Sequence, residues 1–199
     1  QLKMKKDNSI IIGSGVIGSY LAKFLLSKKQ RVIVTSRKLK KSYTNYNKLN
    51  IGNKVIFEEL NVLKKKNILK LLKKYTPKNI FYFSGQSSLT KSTKLKKVTN
   101  DSNYIGAKKI LEILHKYKLK TNFYKANSGY IFEPKNGLVN IKSKISKNKN
   151  PYIQSQIKAY NEVKIFRKKG VNCCSVIFLQ VESPLRNNDF FIKKICTHA

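Results

Sequence analysis

Residues 10–37 read Ile-Ile-Ile-Gly-Ser-Gly-Val-Ile-Gly-Ser-Tyr-Leu-Ala-Lys-Phe-Leu-Leu-Ser-Lys-Lys-Gln-Arg-Val-Ile-Val-Thr-Ser-Arg, and this stretch limits the fold more than any other. An apolar run (10–12) stops at Gly13, and Gly15 and Gly18 complete a G-x-G-x-x-G. Val16, Ile17, Tyr20, Leu21, Phe24 and Leu25 then recur at helical spacing to about residue 28. A β-branched run, Val32, Ile33 and Val34, closes a strand–helix–strand unit. Each glycine has a mechanical part in such a unit. Gly13 permits a tight turn, Gly15 lets the backbone approach a pyrophosphate, and Gly18 lets the helix pack closely on the strand. The N–H groups around Ser14, Val16 and Ile17 lie at the helix start, where unpaired amides and the helix dipole favour an anion. Glycines at this spacing also serve purely structural turns. The strand before and the helix and strand after favour a nucleotide-binding turn.

The rest of the chain repeats the alternation. Residues 54–60 and 79–84 read as the third and fourth strands, 121–127 as the fifth and 171–179 as the sixth. Helical periodicity marks residues around Ile68 to Leu72, stopping before Pro77, then 103–117 and 152–168. Residues 39–53 read as a loop or short helix and 133–150 as a lysine-rich loop. Strands alternating with helices along the whole length predict an α/β fold, a doubly wound parallel sheet with helices on both faces. The helix over 103–117 carries apolar residues on more than one stripe, which predicts burial on two sides, against the sheet and a second subunit. His115, near its end, reads as a partner of the helix dipole before a ligand.

The formal net charge of +34 admits two readings. A basic surface attracts nucleic acid through counterion release. Here, however, the only arginines are Arg31, Arg37, Arg167 and Arg186, whereas readers of bases and phosphates are rich in Arg. The lysines are spread along the chain, and Lys, Asn, Ile, Tyr and Phe are abundant together, as under an A/T-rich coding bias. Solvated lysine faces with non-specific nucleic-acid affinity at most are therefore expected. No apolar stretch reaches the roughly 18 residues of a membrane span. The N-terminal Gln-Leu-Lys-Met-Lys-Lys shows no signal peptide, and Cys173, Cys174, Cys196, His115 and His198 form no zinc-type spacing, so a cytoplasmic setting is the expectation. Cys173 and Cys174, adjacent in a strand, should face opposite sides.

Sites that prefer NAD end the second strand in an acid that holds the ribose 2′-hydroxyl. Here that strand ends in Thr35-Ser36-Arg37-Lys38, which suits a 2′-phosphate, so NADP is expected ahead of NAD. Asn61 and Val62, after the third strand, stand where adenine contacts lie in such folds. Ser84-Gly85-Gln86-Ser87-Ser88 is a small-residue turn at a strand's carboxyl end, where ligands bind in open α/β sheets.

Several segments together resemble the extended short-chain dehydrogenases/reductases, the NAD-dependent epimerase/dehydratase family, and within it the GDP-mannose 4,6-dehydratases. They are residues 18–26 (Gly-Ser-Tyr-Leu-Ala-Lys-Phe-Leu-Leu), Ser84-Gly85-Gln86-Ser87, Phe123-Tyr124-Lys125-Ala126-Asn127-Ser128, Pro151-Tyr152 and Glu182-Ser183-Pro184. They occur in the family's order, at about its spacing, over nearly the whole chain. The resemblance implies a Rossmann fold, NADP, a GDP-mannose-like nucleotide-sugar substrate, and a homodimer through helices near 98–117 and 152–168. It implies residues 1–182 as the coenzyme domain and 183–199 as the start of a truncated or missing substrate lobe. The implied chemistry is a hydride cycle at sugar C4, with a Tyr as base, a Lys that lowers its pKa and a Ser/Thr that orders the same oxygen. In the dehydratases a Glu then removes the C5 proton, water leaves from C6, and the hydride returns there.

Carried over, Ser128 matches the Ser/Thr and Tyr152 the Tyr, which also borders the coenzyme. The Lys position holds Gln156, and Lys158 is the nearest substitute, roughly 200° further round the helix. The dehydratase Glu falls on Tyr130, the family's Asp after the third strand on Asn61, and the glycine turn is one residue tighter than the family's. A phenol near its ordinary pKa of about 10 is almost wholly protonated at neutral pH. Loss of a nearby ammonium removes about one to three units of lowering. Three functions follow: a nucleotide-sugar dehydratase/epimerase-type enzyme, a catalytically impaired NAD(P)-binding relative, and, least favoured, a lysine-rich nucleic-acid binder.

Overall fold

The β-branched and aromatic runs form strands whose alternate residues supply two cores. The computed structural model describes residues 7–188 and 190–198. Its strands are β1 (Asn8–Ile12), β2 (Arg31–Ser36), β3 (Ile56–Glu59), β4 (Asn79–Tyr82), β5 (Asn122–Ser128) and β6 (Cys173–Phe178). They make one parallel sheet in the order β3-β2-β1-β4-β5-β6. The chain winds outward from β1 to β3, then crosses back to β4. That reversal opens a crevice at the carboxyl ends of β1 and β4.

The helices are α1 (Val16–Ser27), α2 (Thr44–Lys48), α3 (Lys65–Tyr75), α4 (Leu89–Lys94), α5 (Lys96–Asn100), α6 (Gly106–Lys116), α7 (Pro151–Lys168) and α8 (Phe191–His198). On one sheet face Ile10, Ile12, Ile33, Ile80 and Phe123 pack with Ile68 and Leu72 of α3, Ile110 and Leu111 of α6, and Val163 and Phe166 of α7. On the other, Ile11, Val32 and Val34 pack with Ala22 and Leu25 of α1 and with Tyr43, Tyr46 and Ile51. The Rossmann-type doubly wound sheet with helices on both faces is thus as the sequence predicts. The second layer thins toward β6. There Phe81 stacks on Tyr124 with centroids 4.9 Å apart, Phe83 meets Phe178 edge-on at 6.2 Å, and Val176 is 39% exposed.

Three details differ from the sequence reading. The helix expected over 103–117 begins at Lys96 and passes through a π turn at Asp101–Ile105 before α6. Residues 96–102 have little apolar periodicity; tertiary bonds hold them, among them the Tyr82 hydroxyl donating to the Ser102 carbonyl at 2.6 Å. The apolar breadth of α6 is taken up within one chain, since Ala107, Ile110, Leu111, Ile113 and Leu114 are all buried against the sheet and neighbouring helices. The third, fourth and sixth strands are also shorter than their apolar runs. Cys173 is buried and Cys174 half-buried, as alternation requires. Among the described residues no helix is long and apolar enough to cross a membrane, and no group of three or more His, Cys, Asp or Glu could hold a metal. The six N-terminal residues read for a signal peptide lie outside the described residues.

Candidate active site

The β1–α1 turn gives each glycine a different duty. Gly13 has φ +112°, and a Cβ there would sit 2.8 Å from the Ser84 nitrogen and 2.9 Å from the Phe83 carbonyl carbon. Only glycine lets this turn lie against the exit of β4. A Cβ on Gly18 would lie 2.6 Å from the Gly13 oxygen, so α1 packs hard onto the turn. Around Gly15 there is nothing within 4 Å of an added Cβ. That open space fronts the start of α1, where the cap has no side-chain acceptor and the Val16 and Ile17 amides begin the helix. Beside it Ser14 is half-buried. The geometry fits a diphosphate.

At the end of β2 the Ser36 hydroxyl donates to the Lys38 carbonyl at 2.7 Å and meets the Tyr43 hydroxyl at 2.8 Å, which pins the bend. Arg37 and Lys38 are exposed there, and Glu59, in register with Ser36, is the exposed carboxylate on the next strand. Asn61 uses its carbonyl oxygen to accept from the Leu63 N–H at 3.0 Å. The Val62 side chain is buried in the core, close enough to α6 that a Cβ on Gly106 would meet it at 2.6 Å. An adenine could touch only main chain at that position.

Asn103, which the sequence reading passed over, ties the two sides of the crevice. Its side-chain oxygen accepts from the Gln86 N–H at 3.0 Å, and its nitrogen donates to the Gln86 carbonyl at 3.1 Å and to the Ser155 hydroxyl at 3.0 Å. Ser155 in turn donates to the Tyr152 carbonyl at 2.7 Å. A Cβ on Gly85 would strike the Asn103 oxygen at 2.3 Å. Both polar atoms of the Gln86 side-chain amide are buried without a protein partner, as suits an amide facing a ligand. Its only forewarning in sequence was a polar residue amid the apolar stripes of the helix.

Asn150 caps α7 by accepting from the Tyr152 N–H at 2.9 Å, and Pro151 fits the first helical position. This cap starts α7 so that Tyr152 lies near the end of β5, with the Ser128 and Gln156 side chains close enough to favour its phenolate. Burial, the largest cause, leaves the phenol raised, with Ser128, Gln156 and the charge of Arg186 pulling against it. Ser128 also accepts from the Tyr130 N–H at 3.3 Å. Tyr130 itself is 60% exposed. The expectation that Lys158 substitutes for the family's lysine is corrected: the helix turns it out to solvent, with Nζ 6.0 Å from the centre of the Tyr104 ring.

A different lysine lies beneath. Lys125 on β5 is 2% exposed, and its Nζ donates to the Gln156 side-chain oxygen at 3.3 Å and to the Ala126 carbonyl, 5.6 Å from the centre of the Tyr82 ring. Burial pulls its pKa down to about 7. Strand alternation held the signal, because residues 123, 125 and 127 share the buried face.

Residues 10–199 match the sequence profile of the family described as GDP-mannose 4,6 dehydratase. The chain belongs to that family. It is thereby an extended short-chain dehydrogenase/reductase of the epimerase/dehydratase type. No curated protein matches this chain. Solved structures of similar fold include the dTDP-glucose 4,6-dehydratase DesIV from Streptomyces venezuelae with NAD, at 16% identity and TM-score 0.83 over 96% of this chain and 61% of that one. The UDP-glucuronic acid 4-epimerase of Bacillus cereus, with UDP-glucuronic acid and NAD, matches at 17% identity and TM-score 0.80, covering 94% of this chain and 60% of that. The UDP-glucose 4-epimerase of Brucella ovis, with NAD, matches at 17% identity and TM-score 0.75, covering 87% and 52%. The chain therefore spans between about half and three fifths of the length of these structures.

Proposed function

We propose that this chain forms the coenzyme-binding and catalytic part of a nucleotide-sugar dehydratase/epimerase-type enzyme that oxidises its substrate at the sugar C4 hydroxyl and takes NADP ahead of NAD. The observation that carries the reading is the linked path across the crevice: Gly13 against Ser84, Gln86 clamped by Asn103, and Asn103 bonded to Ser155 one turn from Tyr152. A glycine turn used only as a bend needs no such tie to a tyrosine and serine on α7.

A bound nicotinamide coenzyme supplies the hydride acceptor. The chain does the rest. The α1 start and the Gly15 opening hold the diphosphate, and Gln86 offers its unpaired amide to the ligand. Arg37 and Lys38, two cations against the single Glu59, favour a 2′-phosphate. Ser128 orders the substrate oxygen, and Tyr152 takes its proton. A dimer would use the flank of α5 to α7, where Leu95, Val98 and Ile165 stay between 42% and 45% exposed. Residues 183–188, which carry Arg186 toward Tyr152, begin the sugar-binding side.

Thermal shift and calorimetry with NADP and NAD test the coenzyme; NADP is expected to bind at least tenfold tighter. Turnover of GDP-mannose, beside dTDP- and UDP-sugars, tests the substrate, and Tyr152→Phe is expected to abolish turnover while keeping coenzyme binding within twofold. A second reading, a coenzyme-binding relative without turnover, is favoured by the exposed Tyr130 at the dehydratase carboxylate position and by the burial that raises Tyr152. Tight NADP binding with no turnover of any nucleotide sugar would establish it.

A further inference from the structure

We propose that Lys125 is a positioning residue for Tyr152: it fixes the Gln156 amide so that its NH2 end donates to the phenol oxygen. The inference deepens the reading of Tyr152 as the base and rests on it.

A glutamine amide has a donor end and an acceptor end, and the neighbours decide which way each faces. Lys125 has only donors. Its Nζ lies 3.3 Å from the Gln156 oxygen, so that end of the amide is committed to β5. The nitrogen end is left for Tyr152, one turn earlier on the same face of α7, where Gln156 favours the phenolate. A donor on the phenol oxygen stabilises the phenolate, whereas an acceptor would hold the proton on. The polarised amide then passes part of the lysine's influence to the tyrosine without direct contact.

The groups facing Lys125 from each element are consistent with this use. From β4 comes the Tyr82 ring, whose hydroxyl is already donated to Ser102. From β5 comes the Ala126 carbonyl, and from α7 Gln156. Beyond the amide stand Tyr152, Ser128 and, acting on Tyr152, Arg186. Among the described residues no carboxylate pairs with Lys125. An ammonium buried without a counter-ion destabilises a fold, so simple core filling does not account for it. Where burial leaves the amine neutral, it still has N–H groups to give the Gln156 oxygen, and the orientation of the amide persists.

The test is a pH titration of the full chain labelled with 13Cζ-tyrosine and followed by NMR without coenzyme, the Tyr152 resonance being identified by its loss in Tyr152→Phe. Lys125→Met is expected to raise the ionisation midpoint of Tyr152 by at least about one unit, a tenfold fall in phenolate at a given pH. Its melting temperature should stay the same or rise. Gln156→Met, which leaves Lys125 in place, is expected to do the same to Tyr152, and it decides the matter if Lys125→Met does not fold. Lys125→Met combined with Gln156→Lys should bring the midpoint back. An unchanged midpoint in folded Lys125→Met or in Gln156→Met overturns the proposal, as does a Tyr152 that stays protonated to about pH 11 in the unaltered chain. NADP titration of the same unaltered sample reports separately on the proposed function: no binding would sink that reading while the coenzyme-free titration still judges the amide.

Discussion

Around β1 to β3 the proposed binding surface is made mostly of main chain: the Gly13–Gly18 turn, the first amides of α1, and a stretch after β3 whose Val62 side chain is turned into the core. Around β4 to β6 it is made of side chains, Gln86, Ser128, Tyr152 and Gln156, held from beneath by the buried Asn103 and Lys125. A main-chain site depends on backbone shape, which a few glycines enforce whatever their neighbours become. That half keeps its pattern in a chain heavy with lysine. A side-chain site depends on which groups meet, and the same meeting can be arranged from another element. That half holds a buried lysine on β5, bonded to Gln156 on α7.

The sharpest way to break the main-chain half is Gly13→Val. A β-branched residue forced to φ +112° against the backbone of Phe83 and Ser84 should cost about 4 kcal/mol or more, read as a large drop in melting temperature. Gly15→Asp sharpens the contrast, because the side chain enters open space: stability should change little while coenzyme affinity falls roughly a hundredfold as the carboxylate repels the diphosphate. Calorimetry on a variant of unchanged melting temperature checks both halves of that statement. On the side-chain half, Asn103→Ala removes the three hydrogen bonds to Gln86 and Ser155 and strands the part-buried Gln86 N–H, for a loss of about 2 kcal/mol in urea denaturation and weaker coenzyme binding. A further effect is one of slope. Lys125 titrates near 7 in the folded chain and near about 10.4 when unfolded, so the unfolded state holds the extra proton between those values and stability climbs as pH rises through them. In Lys125→Met that climb should flatten, as urea midpoints at about pH 6.5 and 9.5 would show.

The parallel sheet and the glycine turn were legible because their signals are local: β-branched runs, the spacing of three glycines, and a proline that opens the helix at 151. The π turn was not, since residues 101–105 hold their shape through Tyr82, about twenty residues away in sequence. Asn103 and Lys125 escaped for the same reason: their partners Gln86, Ser155 and Gln156 come from other elements. Lys158 misled through nearness along the chain, although helical phase already pointed it outward. Val62 sits at a strand's carboxyl end, yet the close approach of Gly106 turned it into filling.

The thin second layer has a consequence for how the molecules treat one another. Phe81, Tyr124, Phe83 and Phe178 form a ribbon of rings beside a half-exposed Cys174 and the exposed Val176, on a body of formal charge +34. In dilute buffer, repulsion reaching about 30 Å keeps such ribbons apart; at 0.1 M salt its reach shrinks to about 10 Å. Salt should therefore steady each chain internally and at the same time let two chains press their rings together, so a protein that is well behaved when concentrated in low salt would associate on dialysis into physiological buffer.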